Sequence, residues 1–186
     1  FLDENILGEL ADLERFSNKT AYQLGAYWYT PVPDLTLVAE YTRIRPYVYT
    51  HTNPKNTYTS WDTPLGHPIG PNADQILIKA DYALNFITNL YASYSFTRKG
   101  WNEYDANGNL LYNAGGNLFE PHRAGIDSEH IKFLSGDVYN YNNFEVGVSY
   151  EAFRDLTFYL SLKHNSAKQV STGNTSDVTW INFKFT

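Results

Sequence analysis

The chain contains no cysteine and no methionine. The missing cysteine rules out a disulfide framework, Cys-ligated zinc, Fe–S clusters and thiolate nucleophiles. It also lacks any apolar run of the roughly 18 residues that a transmembrane helix needs. There is no basic excess: 14 Lys and Arg stand against 20 Asp and Glu, a net charge of -6 spread along the chain. That balance argues against nucleic acid as a partner, because a nucleic-acid groove needs clustered cations. No charged-then-apolar leader opens the sequence, so any signal peptide is expected to have been removed or to lie outside it.

Aromatic side chains are abundant, at 17% of the 186 residues, with 16 Tyr, 11 Phe and 4 Trp. A mean hydropathy of -0.45 would ordinarily indicate a soluble protein. It is equally what a membrane barrel gives, since its strands alternate lipid-facing with lumen-facing residues and average out as polar.

Alternation with period two recurs along the chain. Ala21 to Thr30 sets Tyr22, Leu24, Ala26 and Trp28 on one face, and Leu35 to Tyr49 continues with Leu37, Ala39 and Tyr41 opposite Thr36, Glu40 and Thr42. Asp74 to Leu84 sets Ile76, Ile78, Ala80 and Tyr82 against Gln75, Lys79 and Asp81, and Asn89 to Arg98 sets Leu90, Ala92, Tyr94 and Phe96 against Asn89, Ser93, Ser95 and Thr97. Phe144 to Glu151, Leu156 to Lys163 and Val178 to Thr186 repeat the pattern. The expectation is seven strands of about ten residues, the length that a tilted strand needs to cross a bilayer.

Short links at 31–34, 85–88 and 152–155 alternate with long polar connections at 50–73, 99–143 and 165–177. Short turns on one side and long loops on the other mark an outer-membrane barrel with periplasmic turns, whereas a soluble sandwich or lipocalin-like barrel does not need long loops at one end only. The terminal TWINFKFT fits the alternating aromatic strand that ends many such proteins, although Phe185 is penultimate and Thr186 is last. The fold class expected is therefore all-β: a transmembrane antiparallel up-and-down β-barrel with seven or more strands in this chain. Single-chain bacterial barrels have an even number of strands, so strands are expected upstream and residues 21–186 are read as the C-terminal part of a larger barrel. Residues 1–20 are read as an external loop, the end of a preceding strand, or a short helix that carries Ile6, Leu10 and Leu13 behind an Asp3 cap.

AEYTRIRPYVYTH (39–51), followed by PLGHPIGPNADQILIKADY (64–82), resembles the capsule-assembly Wzi family of outer-membrane proteins. NKTAYQLGAYWYT (18–30) and FTRKG (96–100) fit the same pattern, so the resemblance covers residues 18 to about 100 and reaches the rest only through strand periodicity. It implies a barrel of about eighteen strands in the outer membrane of a Gram-negative-type bacterium, acting as a non-enzymatic lectin that attaches or organises capsular polysaccharide. The implied partners are outer-membrane lipid and lipopolysaccharide, surface polysaccharide, and other envelope proteins or the remaining part of the barrel. The chain is much shorter than that family's barrel.

Sugar recognition uses aromatic faces against pyranose rings and planar polar groups for hydroxyls and carboxylates. The external segments offer Tyr58, Trp61, His67 and Trp101, with Arg43 and Arg45 placed for acidic sugars and Arg123 as a further cation. The competing reading of the aromatics is an interfacial girdle, and that of His67 is a packing or hydrogen-bonding anchor in the rigid PLGHPIGPN loop. His67 has no partner at metal-ligand spacing, so no metal or other cofactor is expected. HRAGIDSEH (122–130) gathers His, Asp and Ser, but no nucleophile elbow surrounds Ser128, and no catalytic residue is expected. Asp105 to Asn109 reads as a turn centred on Asn107 and Gly108 rather than a calcium loop. Arg43 and Arg45 share parity with Leu37, Ala39 and Tyr41, so the strand must leave the bilayer there or change face at a bulge, and Pro46 suits either. The second function class is a structural or passive-pore barrel within a larger envelope assembly. Mixed charges at Glu40, Lys79, Asp81, Glu145, Glu151, Lys163 and Lys184 suit a packed interior better than an ion-selective one.

Overall fold

The computed structural model describes residues 12–61 and 63–186. These residues form strands and turns with one short 3-10 turn at Pro54–Asn56, and no α-helix occurs among them. In chain order the strands are β1 (Ala21–Tyr29), β2 (Leu35–Ile44), β3 (Thr59–Ser60), β4 (Thr63–Pro64), β5 (Ala73–Asn85), β6 (Thr88–Trp101), β7 (Glu103–Tyr104), β8 (Leu110–Tyr112), β9 (Asp137–Phe153), β10 (Leu156–Gln169) and β11 (Thr175–Phe185). The helix considered around Ile6 and Leu10 falls outside the described residues.

Seven of the strands make one antiparallel sheet in the order β1-β2-β5-β6-β9-β10-β11, and two small hairpins, β3-β4 and β7-β8, sit within its long connections. The order is that of the sequence, so each strand pairs with its neighbour through a turn or a loop. It begins at β1 and ends at β11, and among the described residues these two do not pair, so the sheet is open and no closed barrel forms among them. Register confirms the two faces: Leu160↔Phe183 and Leu162↔Ile181 lie on one side, and Tyr159↔Lys184, Ser161↔Asn182 and Lys163↔Trp180 on the other. The short turns use residues that tolerate left-handed backbone, with Asp34 at φ 62° and Asp155 at φ 64°. At the third, the Ile87 amide donates to Asn85 Oδ1 at 3.0 Å.

Four boundaries differ from the sequence expectation. β2 stops at Ile44 instead of running to Tyr49, because the chain turns at Pro46. β6 continues to Trp101, and β9 begins at Asp137 inside the segment 99–143 expected as loop. The expected loop 165–177 shrinks to the turn 170–174, since Ser166↔Asp177, Ala167↔Ser176 and Lys168↔Thr175 extend the ladder. Strand pairing is a backbone property, and polar side chains that read as loop do not prevent it.

The chain divides into two compact units. The loop unit contains 42–74 and 98–139, with 12–22 of the described residues; the sheet unit contains 23–41, 75–97 and 140–186. Every buried apolar side chain among the described residues belongs to the loop unit: Ile44, Pro46, Tyr47, Val48, Pro71, Ala73, Ala114, Leu118 and Ile131. The sheet unit buries none. Its apolar face stays exposed at Ile76, Ile78, Leu90, Val146, Leu160 and Leu162, and at Ile181 and Phe183, which are 71% and 65% exposed.

Candidate functional site

The loop unit is built around the turn that follows β2. Pro46 cannot donate to a ladder, and Tyr47 and Tyr49 both take left-handed backbone, at φ 60° and 72°. For side chains of this size such a conformation costs about 1–3 kcal/mol each and persists only where the surroundings enforce it. For Tyr47 they do: its amide donates to the Gly115 carbonyl and its hydroxyl to the Asn113 carbonyl, each at 2.9 Å. Its ring, fully buried, meets Phe16 and His122 edge-on at 6.1 and 5.6 Å. Burial, with help from the nearby Asp127 charge, pushes the Tyr47 phenol well above its ordinary range.

Asn72 ties three segments together. Its Nδ2 donates to the carbonyls of Gly100 (3.0 Å) and Ser135 (3.1 Å), and its Oδ1 accepts from the Leu134 amide (2.8 Å). Its own amide donates to the Arg45 carbonyl at 3.1 Å. Asn is one of the few residues that accept its φ of 54° at low cost.

Lys99, one residue beyond the predicted spanning run 89–98, is with Asp74 one of the two buried charged residues among the described residues. It is 4% exposed, and its Nζ donates to the carbonyls of Ile69 (2.9 Å) and Pro71 (2.6 Å) in the PLGHPIGPN loop. It also lies 4.5 Å from the Trp101 ring centroid, and among the described residues no carboxylate forms an ion pair with it. Burial brings its pKa down from 10.5 to about 7. A lysine whose folded pKa is depressed binds fewer protons folded than unfolded between those values, so stability rises with pH through that window. Between about pH 6 and about pH 9 the loop unit is expected to gain roughly 2–3 kcal/mol from this group, measured as the difference in denaturation midpoints between wild type and Lys99→Met. Identical pH slopes for the two proteins would show that Lys99 stays charged.

The predicted ligand residues do not converge on one point. Tyr58 stacks on Tyr49, with centroids 5.7 Å apart and planes 26° apart, and the His67 amide donates to the Tyr49 hydroxyl at 3.2 Å, so these two share one aromatic neighbour. Gly66 makes this possible, because a Cβ there would collide with the Tyr49 ring. His67 Nδ1 accepts from the Ile69 amide at 3.4 Å, and its carbonyl accepts from the Gly70 amide at 3.0 Å, bonds that brace the turn. Trp101 packs with Lys99, while Trp61 stands 97% exposed between β3 and β4.

Arg43 lies on β2 with its guanidinium 3.9 Å from the Phe133 ring centroid. Arg45 is outside the strand, so β2 terminates there and no bulge is needed. Burial first and the Arg43 charge second lower the Arg45 pKa, with Glu14 and Asp12 opposing, and its buried Nε makes no hydrogen bond among the described residues. Arg123, offered as a third cation, is occupied: its Nη2 and Nε reach Asp127 Oδ1 at 2.6 and 3.0 Å. Burial works to raise the Asp127 pKa, but the Arg123 side chain and amide and the Asn113 amide group hold it below the ordinary carboxylate range.

In HRAGIDSEH the hydroxyl of Ser128 donates to the His130 carbonyl at 2.8 Å, while His122 stacks on Phe16 at 3.6 Å with its Nε2 3.2 Å from the Ser128 carbonyl oxygen. No nucleophile–base hydrogen bond joins the three side chains. Asp105 Oδ1 accepts from the amides of Asn107 and Asn109, each at 2.8 Å, and Gly108 takes φ 83°, the expected turn between β7 and β8. Sequence reasoning passed over Lys99, Asn72 and Tyr47. The readable signal was the Gly-Pro-Asn and Lys-Gly-Trp context around the first two, which marks close backbone approach. A scan against protein-family models, a search of curated proteins and a search of solved structures each gave no match.

Proposed function

We propose that this chain forms the C-terminal part of an outer-membrane β-barrel in a Gram-negative-type bacterium, and that it binds or organises surface polysaccharide as a lectin without chemistry of its own. The observation that carries this reading is where the apolar surface goes: the loop unit has a buried apolar interior, and the sheet unit has none and leaves a whole apolar face exposed. Such a face in water loses about 25 cal/mol for each Å² left unburied, and an exposed patch on this scale marks a surface meant for another phase or partner. Hydrocarbon removes that cost, and its intolerance of unpaired backbone requires further strands beside β1 and β11. Long connections carrying exposed Trp61, Tyr58 and Trp101 with half-buried arginines supply stacking faces and cations suited to acidic sugars. The resemblance to the capsule-assembly Wzi family points the same way.

In detergent micelles the chain is expected to bind acidic capsular polysaccharide, and exchange of residues 50–73 for a flexible linker is expected to weaken binding at least tenfold. Both are measurable by pull-down or glycan array. Single-channel conductance in planar bilayers with no glycan binding would overturn the lectin reading in favour of a passive pore. Release of the chain from membranes by alkaline wash would overturn the barrel itself.

A further inference from the structure

We infer that the polar face of the sheet unit carries a saccharide-binding trough, floored by Tyr91, Tyr159 and Trp180, in which Lys184 receives the carboxylate of an acidic sugar. The inference rests on the glycan-binding reading above and adds to the loops a second place of contact. It begins from strand parity: residues opposite the apolar face converge on one side of β6, β9, β10 and β11. There Tyr91, Tyr159, Lys163, Trp180, Asn182 and Lys184 line a cavity of about 270 Å³. A second cavity, of about 350 Å³, is lined by Asp34, Asp81, Asn89 and Ser149 together with the same Tyr91 and Tyr159. The two share these tyrosines on the same face of the sheet, and the proposed trough runs across both.

The floor of the trough is set by a glycine. A Cβ at Gly147 on β9 would collide with the end of the Tyr91 ring and with the Leu160 carbonyl, so the ring lies against the backbone where the neighbouring strand has no side chain. An aromatic ring laid against a sheet offers a face for stacking, which is what the C–H side of a pyranose requires. Asn182 and Ser161 add amide and hydroxyl groups for the sugar hydroxyls.

Charge decides the class of sugar and its direction. Lys163 is neutralised by Glu145, Nζ to Oε2 at 3.0 Å, whereas Lys184 has no carboxylate partner among the described residues and only stands 5.7 Å from the Tyr159 ring. The far end carries Asp34 and Asp81, which repel an anion. The acidic residue of a bound chain therefore sits at the β11 end, with a neutral residue at the β2–β5 end.

The test uses the full chain in detergent micelles, with tetragalacturonate as probe and a neutral tetrasaccharide, cellotetraose, as control, followed by calorimetry. Tetragalacturonate is expected to bind more tightly than cellotetraose. Tyr159→Leu and Trp180→Leu are expected to weaken it at least tenfold, and Lys184→Gln to erase the preference for the acidic probe. Arg154→Gln, a highly exposed cation at the β9–β10 turn and outside the trough, is expected to leave this binding within twofold. Thermal mobility on denaturing gels checks that each variant keeps the wild-type fold, and Lys184→Gln, a substitution on an exposed strand, serves as the mild variant should the aromatic replacements misfold. Full-strength binding by the trough variants, with loss on replacing residues 50–73, would overturn the trough and leave the loop lectin standing. No saccharide binding by wild type would overturn both.

Discussion

Replacement of Asn72 by alanine is expected to destabilise the loop unit by about 3–6 kcal/mol and to remove hydrogen-exchange protection at the Leu134 amide, which donates to the Asn72 side chain. The estimate follows from what its side chain satisfies. Three hydrogen bonds to the carbonyls of Gly100 and Ser135 and the amide of Leu134 disappear, in a place where Asn72 is fully buried. Each buried group left without a partner costs about 1–3 kcal/mol. Alanine must also hold φ 54°, a left-handed conformation costing it about 1–2 kcal/mol. Asn72→Gly removes the hydrogen bonds but not the tolerance for that backbone, so it should fall between wild type and alanine. Unchanged exchange at Leu134 in the alanine variant would show that water takes over the bonds and that Asn72 is no hub.

For Tyr47→Ala the expected loss is about 3–5 kcal/mol, the range for emptying an aromatic site in a packed core. Nothing nearby is free to collapse into the space: Phe16 is stacked on His122, and the Tyr47 amide is anchored to Gly115. Tyr47→Phe isolates the hydroxyl and is expected to cost about 1–2 kcal/mol, by leaving the buried Asn113 carbonyl without its donor. Limited proteolysis should show new cleavage within 113–136 for the alanine variant and little for phenylalanine. Equal resistance of both variants to proteolysis would mean that the strained turn, and not the ring, holds these segments together.

The faces of the sheet were legible because period two is a property of the strand itself. Leu160, Leu162, Ile181 and Phe183 fall on one side wherever their ends are drawn. The ends were less legible. DVYNYNN at the start of β9 and HNSAKQ at the end of β10 carry no apolar alternation, and they pair through backbone groups that every residue possesses. The interior of the loop unit was hardest to read. Asn72, Lys99, Asn102 and Asn113 are polar residues in segments that resemble solvated loop, yet each is buried. Their burial depends on partners drawn from far along the chain, as when Asn102 donates to Glu120 Oε2 at 2.7 Å. Of the ligand residues, exposure at Trp61 was foreseeable from a polar hairpin tip, while the engagement of Arg123 by Asp127 could have been suspected from their i, i+4 spacing.

The confinement of buried apolar side chains to the loop unit means that the two units draw their stability from different sources. The loop unit has its own hydrophobic interior, so denaturant, pH and temperature act on it as they act on any water-borne domain. The sheet unit has no such interior to lose, so under the proposed barrel reading lipid chain length and detergent, rather than urea, are the variables to which it is expected to respond.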